Sequence, residues 1–240
     1  MQFKPNFDLL RDWESAEKAR DFACNSAFVS VFKRDNKTLV YMCDRHGENI
    51  SFNMVDMCFA DDFGMHPDIL LVEIENENFE RKFDWYWLQK NTLSYAAVIA
   101  AKKNVPIVFA DLSDAQMIDV INYGYSDDKI VAKDLTSVLC SGAPNPNGNL
   151  YQQKLAYLNM FGRDKFMVQN IAAALNKYDT VFVICGVGHY EDQRLVLEDM
   201  LGNPEYITRI KNMRRDCSNV KIEPIKLCDF ETGGANDKNA

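Results

Sequence analysis

Three short runs in this chain are apolar at nearly every position: "DILLVEIE" (68–75), "VPIVFAD" (105–111) and "TVFVICGV" (180–187). A strand with one wet face alternates, so a run this continuous must be covered on both faces. Helix-length segments lie between and after these runs: 83–104, 113–123, 128–140, a long one at about 150–177, and 190–201. Strands alternating with helices predict an α/β fold with a mainly parallel central sheet flanked by helices. Two features modify it. "FVSVFKRDNKTLVYMCD" (28–44) alternates, turns at "RDNK" and alternates again, predicting an N-terminal β-hairpin. The 112–160 region, interrupted by the loop "SGAPNPNGN" (141–149), predicts a helical cap. Further helices are expected at 7–23 and near 204–216, and a strand at "VKIEPIKL" (220–227). No linker divides the chain, so 1–230 reads as one domain and 231–240 as a flexible tail.

The 240 residues, 47% of them hydrophobic, can bury a sizeable core without staples. A net charge of −8 repels phosphate backbones and argues against a nucleic-acid partner. Cysteines at 24, 43, 58, 140, 185, 217 and 228 are odd in number and form no CxxC pair. They read as free thiols in a reducing compartment. The N-terminal segment mixes acids and bases without the apolar centre of a signal peptide. The longest largely apolar stretch, "LSYAAVIAA", is too short to span a bilayer. The expectation is a cytoplasmic protein with no membrane partner.

In open α/β sheets, ligands bind beyond the carboxyl ends of the strands. Just past "LVYMCD" comes His46; "ILLV" runs into Glu73; "PIVFA" is followed by Asp111; "VFVICGVG" is followed by His189. Parallel strands would gather two imidazoles and two carboxylates along one edge. Any one of these residues alone is better explained as the polar end of a strand. The coincidence is stronger: two of only three histidines occupy equivalent exits, each beside a glycine. His66, before a proline, reads as structural or exposed. Gly186 and Gly188 are expected to let the chain turn tightly and let a ligand approach the backbone. His189 would lie in the first turn of a helix, where the macrodipole disfavours imidazolium, leaving a neutral ring fit for a metal or for base chemistry. A bare GxG with no Walker lysine argues against nucleotide binding.

The long helix carries an apolar stripe of Tyr157, Phe161, Val168, Ala172 and Leu175, broken by Asp164, with Arg163 between Met160 and Met167. Charges on an inward face are costly unless paired. They are either a buried salt bridge to the sheet or site residues that hold substrate or orient a histidine.

These segments, in this order, resemble the superfamily that joins TraB/PrgY proteins, Tiki-type proteases, erythromycin esterases and ChaN-like haem-binding proteins. The resemblance rests on "CDRHG" (43–47), "LLVE" (70–73), "FADLSD" (109–114), "GRDKFMVQNIAAAL" (162–175) and "GVGH" (186–189). It departs from the family where Cys43 and Asp44 replace the glycine and glutamate of the first motif, and where Leu112 follows Asp111 in place of arginine. The resemblance implies a metal-dependent hydrolase of amide or ester bonds, with His46, Glu73 and His189 as metal ligands or acid–base groups. Arg163 would stabilise developing negative charge, and Asp44, Asp111 and Asp164 would support the site. Imidazole ligands suit Mn, Co or Zn better than Ca. A small molecule or peptide is the expected substrate. The alternative is a non-catalytic protein that binds a small ligand, haem or a peptide in the same cleft.

Overall fold

A computed structural model describes residues 2–10, 27–46, 48–74, 91–142 and 144–207. Six strands form one sheet among these residues: β1 (Phe28–Arg34), β2 (Lys37–Asp44), β3 (Ile69–Val72), β4 (Ile107–Phe109), β5 (Thr180–Gly186) and β6 (Glu205–Ile207). Their order is β4-β3-β5-β2-β1-β6. The pairs β4–β3, β3–β5 and β5–β2 are parallel, and β1 runs antiparallel to both its neighbours. The fold is α/β with a mixed, mostly parallel sheet. The hairpin turns at Asp35–Asn36, where Asp35 takes φ 56°, and its register pairs Phe28 with Cys43 through Arg34 with Lys37.

The unbroken apolar runs have the expected cause. Leu39, Tyr41, Ile69, Leu71, Val181 and Val183 point into one core, and Val40, Met42, Leu70, Val72, Phe182 and Ile184 into another on the opposite face. The second face is covered by α1 (Asn49–Cys58) and α2 (Thr92–Lys102). On the first lie α6 (Asp164–Lys177) and α7 (Val187–Leu201). Between β4 and α6 in sequence come α3 (Asp114–Gly124), α4 (Ala132–Leu139) and α5 (Leu150–Leu158). These three build their own small core around Ile121, Leu135, Val138 and Leu158, the helical cap. Ser113 and Gln116 close a capping box at the start of α3, and Asn149 and Gln152 do the same for α5.

Three expectations are corrected. The long helix runs through 150–177 as expected, but it contains a π-helical turn, Asn159–Arg163, between α5 and α6, which changes its inward stripe. The wider turn rotates Phe161 out of the inward stripe, leaving it 43% exposed. Helix α7 begins at Val187, not 190. Residues 205–207, expected in a helix, form β6 instead. They pair with Val29–Val31, so Tyr206 and Ile207 close the outer side of β1. Expected elements at 11–23, 83–90, 208–216 and 220–227, and the tail, lie outside the described residues. Among the described residues no helix is long and apolar enough to cross a membrane, and Cys43, Cys58, Cys140 and Cys185 are free thiols.

Candidate active site at the strand edge

The parallel strands deliver their exit residues to one edge. Asp44 ends β2 in register with Gly186 at the end of β5. Glu73 follows β3, its N–H donating to the Ile184 carbonyl at 3.1 Å, and Asp111 follows β4 one residue after Ala110, whose N–H donates to Val72. The cap closes over this edge and leaves a cavity of about 790 Å³. Glu73, Arg163 and His189 line it from the sheet side, Leu139, Pro144 and Leu155 from the cap.

Glu73 is the centre of the network. Its Oε2 accepts the Gly186 N–H at 2.6 Å. Its Oε1 accepts from Arg163 Nη2 at 2.7 Å and faces His189 Nε2 at 3.1 Å. Arg163 forks onto Asp111, with Nε donating to Oδ1 at 3.0 Å and Nη2 to Oδ2 at 2.6 Å. Behind His189, the ring Nδ1–H donates to Asp164 Oδ1 at 2.8 Å. The same oxygen accepts from Gln193 Nε2 at 2.7 Å. His46 is built alike: its Nδ1–H donates to Asp44 Oδ2 at 2.6 Å. A carboxylate cannot donate, so both rings carry a proton on Nδ1; Nε2 then points into the cavity in His46 and onto Glu73 Oε1 in the cavity wall in His189. The two differ in setting, since His189 is buried whereas the His46 side chain is 60% exposed at the rim.

The expectation of a neutral His189 is corrected. Burial opposes its charge, but Glu73 and Asp164 outweigh both burial and the Arg163 charge, and its pKa is pushed up to about 10. Two carboxylates in contact overcome the helix N-terminus, whose partial charge is only about half a unit. For Glu73, burial favours the neutral form, but His189, Arg163 and His46 together hold it well below the usual carboxylate range. For Arg163, burial works against the charge, and Asp111 and Glu73 raise its pKa further from neutrality. The hydrogen bond that His46 donates to Asp44 raises its pKa against an opposing contribution from burial.

The glycines act differently from expectation. Neither adopts left-handed backbone; Gly186 sits at φ −57° as the N-cap of α7. What constrains it is space: a Cβ there would stand 3.0 Å from His46 Nε2 and 3.5 Å from Glu73 Oε2. Gly188 has open space around it. The departures from the motif pattern also find places. Asp44 anchors His46, Cys43 points into the core, and Leu112 packs into the cap. Two partners went unrecognised in the sequence. Gln193 lies one turn after His189 on the buried face of α7, a polar residue at i+4 that the spacing could have revealed. Tyr41, whose hydroxyl donates to Gln193 Oε1 at 3.0 Å and lies 2.6 Å from Cys185 Sγ, sits in a strand that gives no such signal.

Among the described residues, no three His, Cys, Asp or Glu side chains stand around one point as a formed metal cage. The donor chemistry nonetheless suits an imidazole-seeking divalent ion. Each histidine is fixed at Nδ1 by a carboxylate, the arrangement that orients imidazole ligands and strengthens them. Asp44 Oδ1 and Asp164 Oδ2, the second oxygens of these anchors, are buried without a hydrogen-bond partner.

The chain matches no protein-family model, no curated protein and no solved structure.

Proposed function

We propose that this protein hydrolyses an amide or ester bond at the strand-edge site, with His46, Glu73 and His189 holding one Mn, Co or Zn ion. One observation carries the reading. Two imidazoles, each anchored by its own buried carboxylate, line a cavity that also holds Glu73 and Arg163. Similarity to the TraB/Tiki/erythromycin-esterase motifs points the same way.

The ion would supply Lewis-acid activation of water near neutral pH. The chain's own groups do the rest. Asp44 and Asp164 hold a proton on each Nδ1, so Nε2 is the ring atom each histidine would offer the ion, His189 only after giving up the Nε2 proton it holds toward Glu73. Asp111 fixes the Arg163 guanidinium, which offers positive charge to the oxygen that becomes negative as the carbonyl is attacked. Gly186 N–H holds Glu73 in its rotamer. Leu139 and Leu155 give the cap side of the cavity an apolar wall facing the charged floor.

A specific observation supports a second reading. Glu73 is already engaged by Arg163, His189 and Gly186, and His189 is protonated in that network. In this state His46, carried by Asp44, is free to act as general base on water without an ion. A panel of ester and peptide substrates, assayed with and without chelator on wild type and His46→Ala, tests both. Chelator-sensitive turnover supports the metal reading, and chelator-resistant turnover lost in His46→Ala supports the base reading. Absence of turnover under all conditions moves the function to ligand binding in the same cavity.

A further inference from the structure

A second cavity, of about 150 Å³, adjoins the first, and Pro144, Asn159 and Asp192 line both. Its inner wall is one face of α5 extended into the π turn: Gln153, Ala156, Tyr157 and Met160 recur at helical spacing, and Phe161 follows. Tyr125 stands opposite. The wall is aromatic and fixed. Tyr157 meets Tyr125 edge-on at 5.7 Å and lies tilted against Phe161 at 4.6 Å. Gly124 leaves no room for a side chain beneath it, since a Cβ there would fall 2.3 Å from the Tyr157 ring. Phe161 is 43% exposed although it borders a cavity, and Lys165 lies over its ring at 5.1 Å. The π turn serves both cavities: Arg163 reaches Glu73 and Asp111 in one, and Met160 and Phe161 line the other.

We propose that this side cavity is a specificity subsite that takes a neutral aromatic ring of the substrate. The inference rests on the hydrolase reading for the word substrate, but the ring-binding property stands independently of turnover. Size supports a single ring: about 150 Å³ is the volume in which a closed apolar cavity holds benzene, and here Tyr125, Ala156, Tyr157, Met160 and Phe161 supply the apolar part of the lining, with Gln153, Asn159 and Asp192 at its polar part. Ring chemistry supports aromatic over aliphatic groups: offset and edge-on partners are already in position, with no reorganisation needed on binding. The substrate class is therefore an ester or amide bearing an arylalkyl group close to the scissile carbonyl.

The test uses 4-phenylbutan-2-one, a ketone that cannot be hydrolysed, observed by saturation-transfer NMR on the full-length protein. Ring protons should saturate with wild type, and the effect should fall at least severalfold in Phe161→Ala, which empties the wall, and in Ala156→Phe, which fills the space. Melting curves of both variants establish that they are folded. Absence of saturation with wild type, or equal saturation in folded variants, overturns the subsite whatever the enzyme does. In parallel, kcat/KM for ethyl 3-phenylpropanoate relative to ethyl propanoate should favour the aromatic ester by about tenfold or more, the usual scale for filling an apolar pocket. Phe161→Ala should lower that ratio by about fivefold. Ring saturation with no turnover of any ester would overturn the hydrolase reading and leave the subsite standing. Turnover with no preference for the aromatic ester would overturn the subsite as a determinant of specificity.

Discussion

His189 Nε2 and Glu73 Oε1 meet at 3.1 Å, a buried ion pair that joins α7 to the end of β3. Neither group would be charged there alone. His189 depends on Asp164 behind it and Glu73 depends on Arg163 beside it, so the four residues form one electrostatic unit.

The pair should make stability depend on pH in both directions. In chelator-treated protein, His189 has a folded pKa of about 10 against an ordinary 6.5. Its contribution is therefore complete below about pH 6.5 and lost as pH rises through 10. Glu73 is depressed from 4.5, so its contribution is present above that value and lost as pH falls below it toward the folded pKa. The total is on the order of several kcal/mol and shared between partners. Thermal melting from pH 3 to 10.5 should show a broad maximum, and His189→Gln should flatten its alkaline side.

Asp164→Leu should cost about 2–4 kcal/mol, because it leaves His189 Nδ1 buried without its acceptor and Gln193 Nε2 with only the weak Met167 sulfur. Asp164→Asn keeps the shape and one acceptor. It should cost less in denaturant unfolding while still lowering the His189 pKa, measured by imidazole chemical shifts against pH.

Gly186→Ala and Gly188→Ala separate the two glycines. The first should displace His46 from its place over the strand end and abolish turnover, since its Cβ would press on Nε2. The second has open space in helix α7 and should melt within about 0.5 kcal/mol of wild type or slightly higher, with turnover retained. Parallel melting and rate measurements on both variants check the contrast.

Arg163→Lys loses the fork onto Asp111 and the bond to Glu73 that a single ammonium cannot duplicate. It should lower kcat at least about tenfold and destabilise by about 1–3 kcal/mol. Arg163→Met, which leaves two buried carboxylates without their cation, should cost about 3–5 kcal/mol. Unfolding curves that rank Lys above Met in stability would agree.

The sheet was readable because periodicity reports burial directly: "ILLV" and "VFVI" are apolar on both faces, and both faces are covered. The convergence of Glu73, Asp111 and His189 followed from parallel strands, for which exit positions alone suffice. What escaped was set by partners distant in sequence. The charge on His189 comes from Glu73 and Asp164, 116 and 25 residues away, and no local rule carries that information. Tyr41 looks like any strand aromatic until Gln193 is seen across from it. The π turn at 159–163 inserts its extra residue without proline, and its one mark in the sequence, Gly162, went unread, so the reading of an unmodified stripe put Phe161 on the wrong side. The requirement for glycine at 186 arises from His46, not from the backbone angle that glycine usually signals.

The most direct test of the central claim is metal stoichiometry. Wild type, His46→Ala and His189→Gln would be dialysed to equilibrium against Mn, Co or Zn and analysed for bound ion per chain. Melting of each variant would be measured alongside, since His189 is buried and ion-paired while His46 is largely exposed. The account predicts one ion per chain in wild type, released by chelator, with little bound in either folded variant. Wild type that binds no ion, or variants that bind as much as wild type, would contradict the assignment of His46, Glu73 and His189 as its ligands.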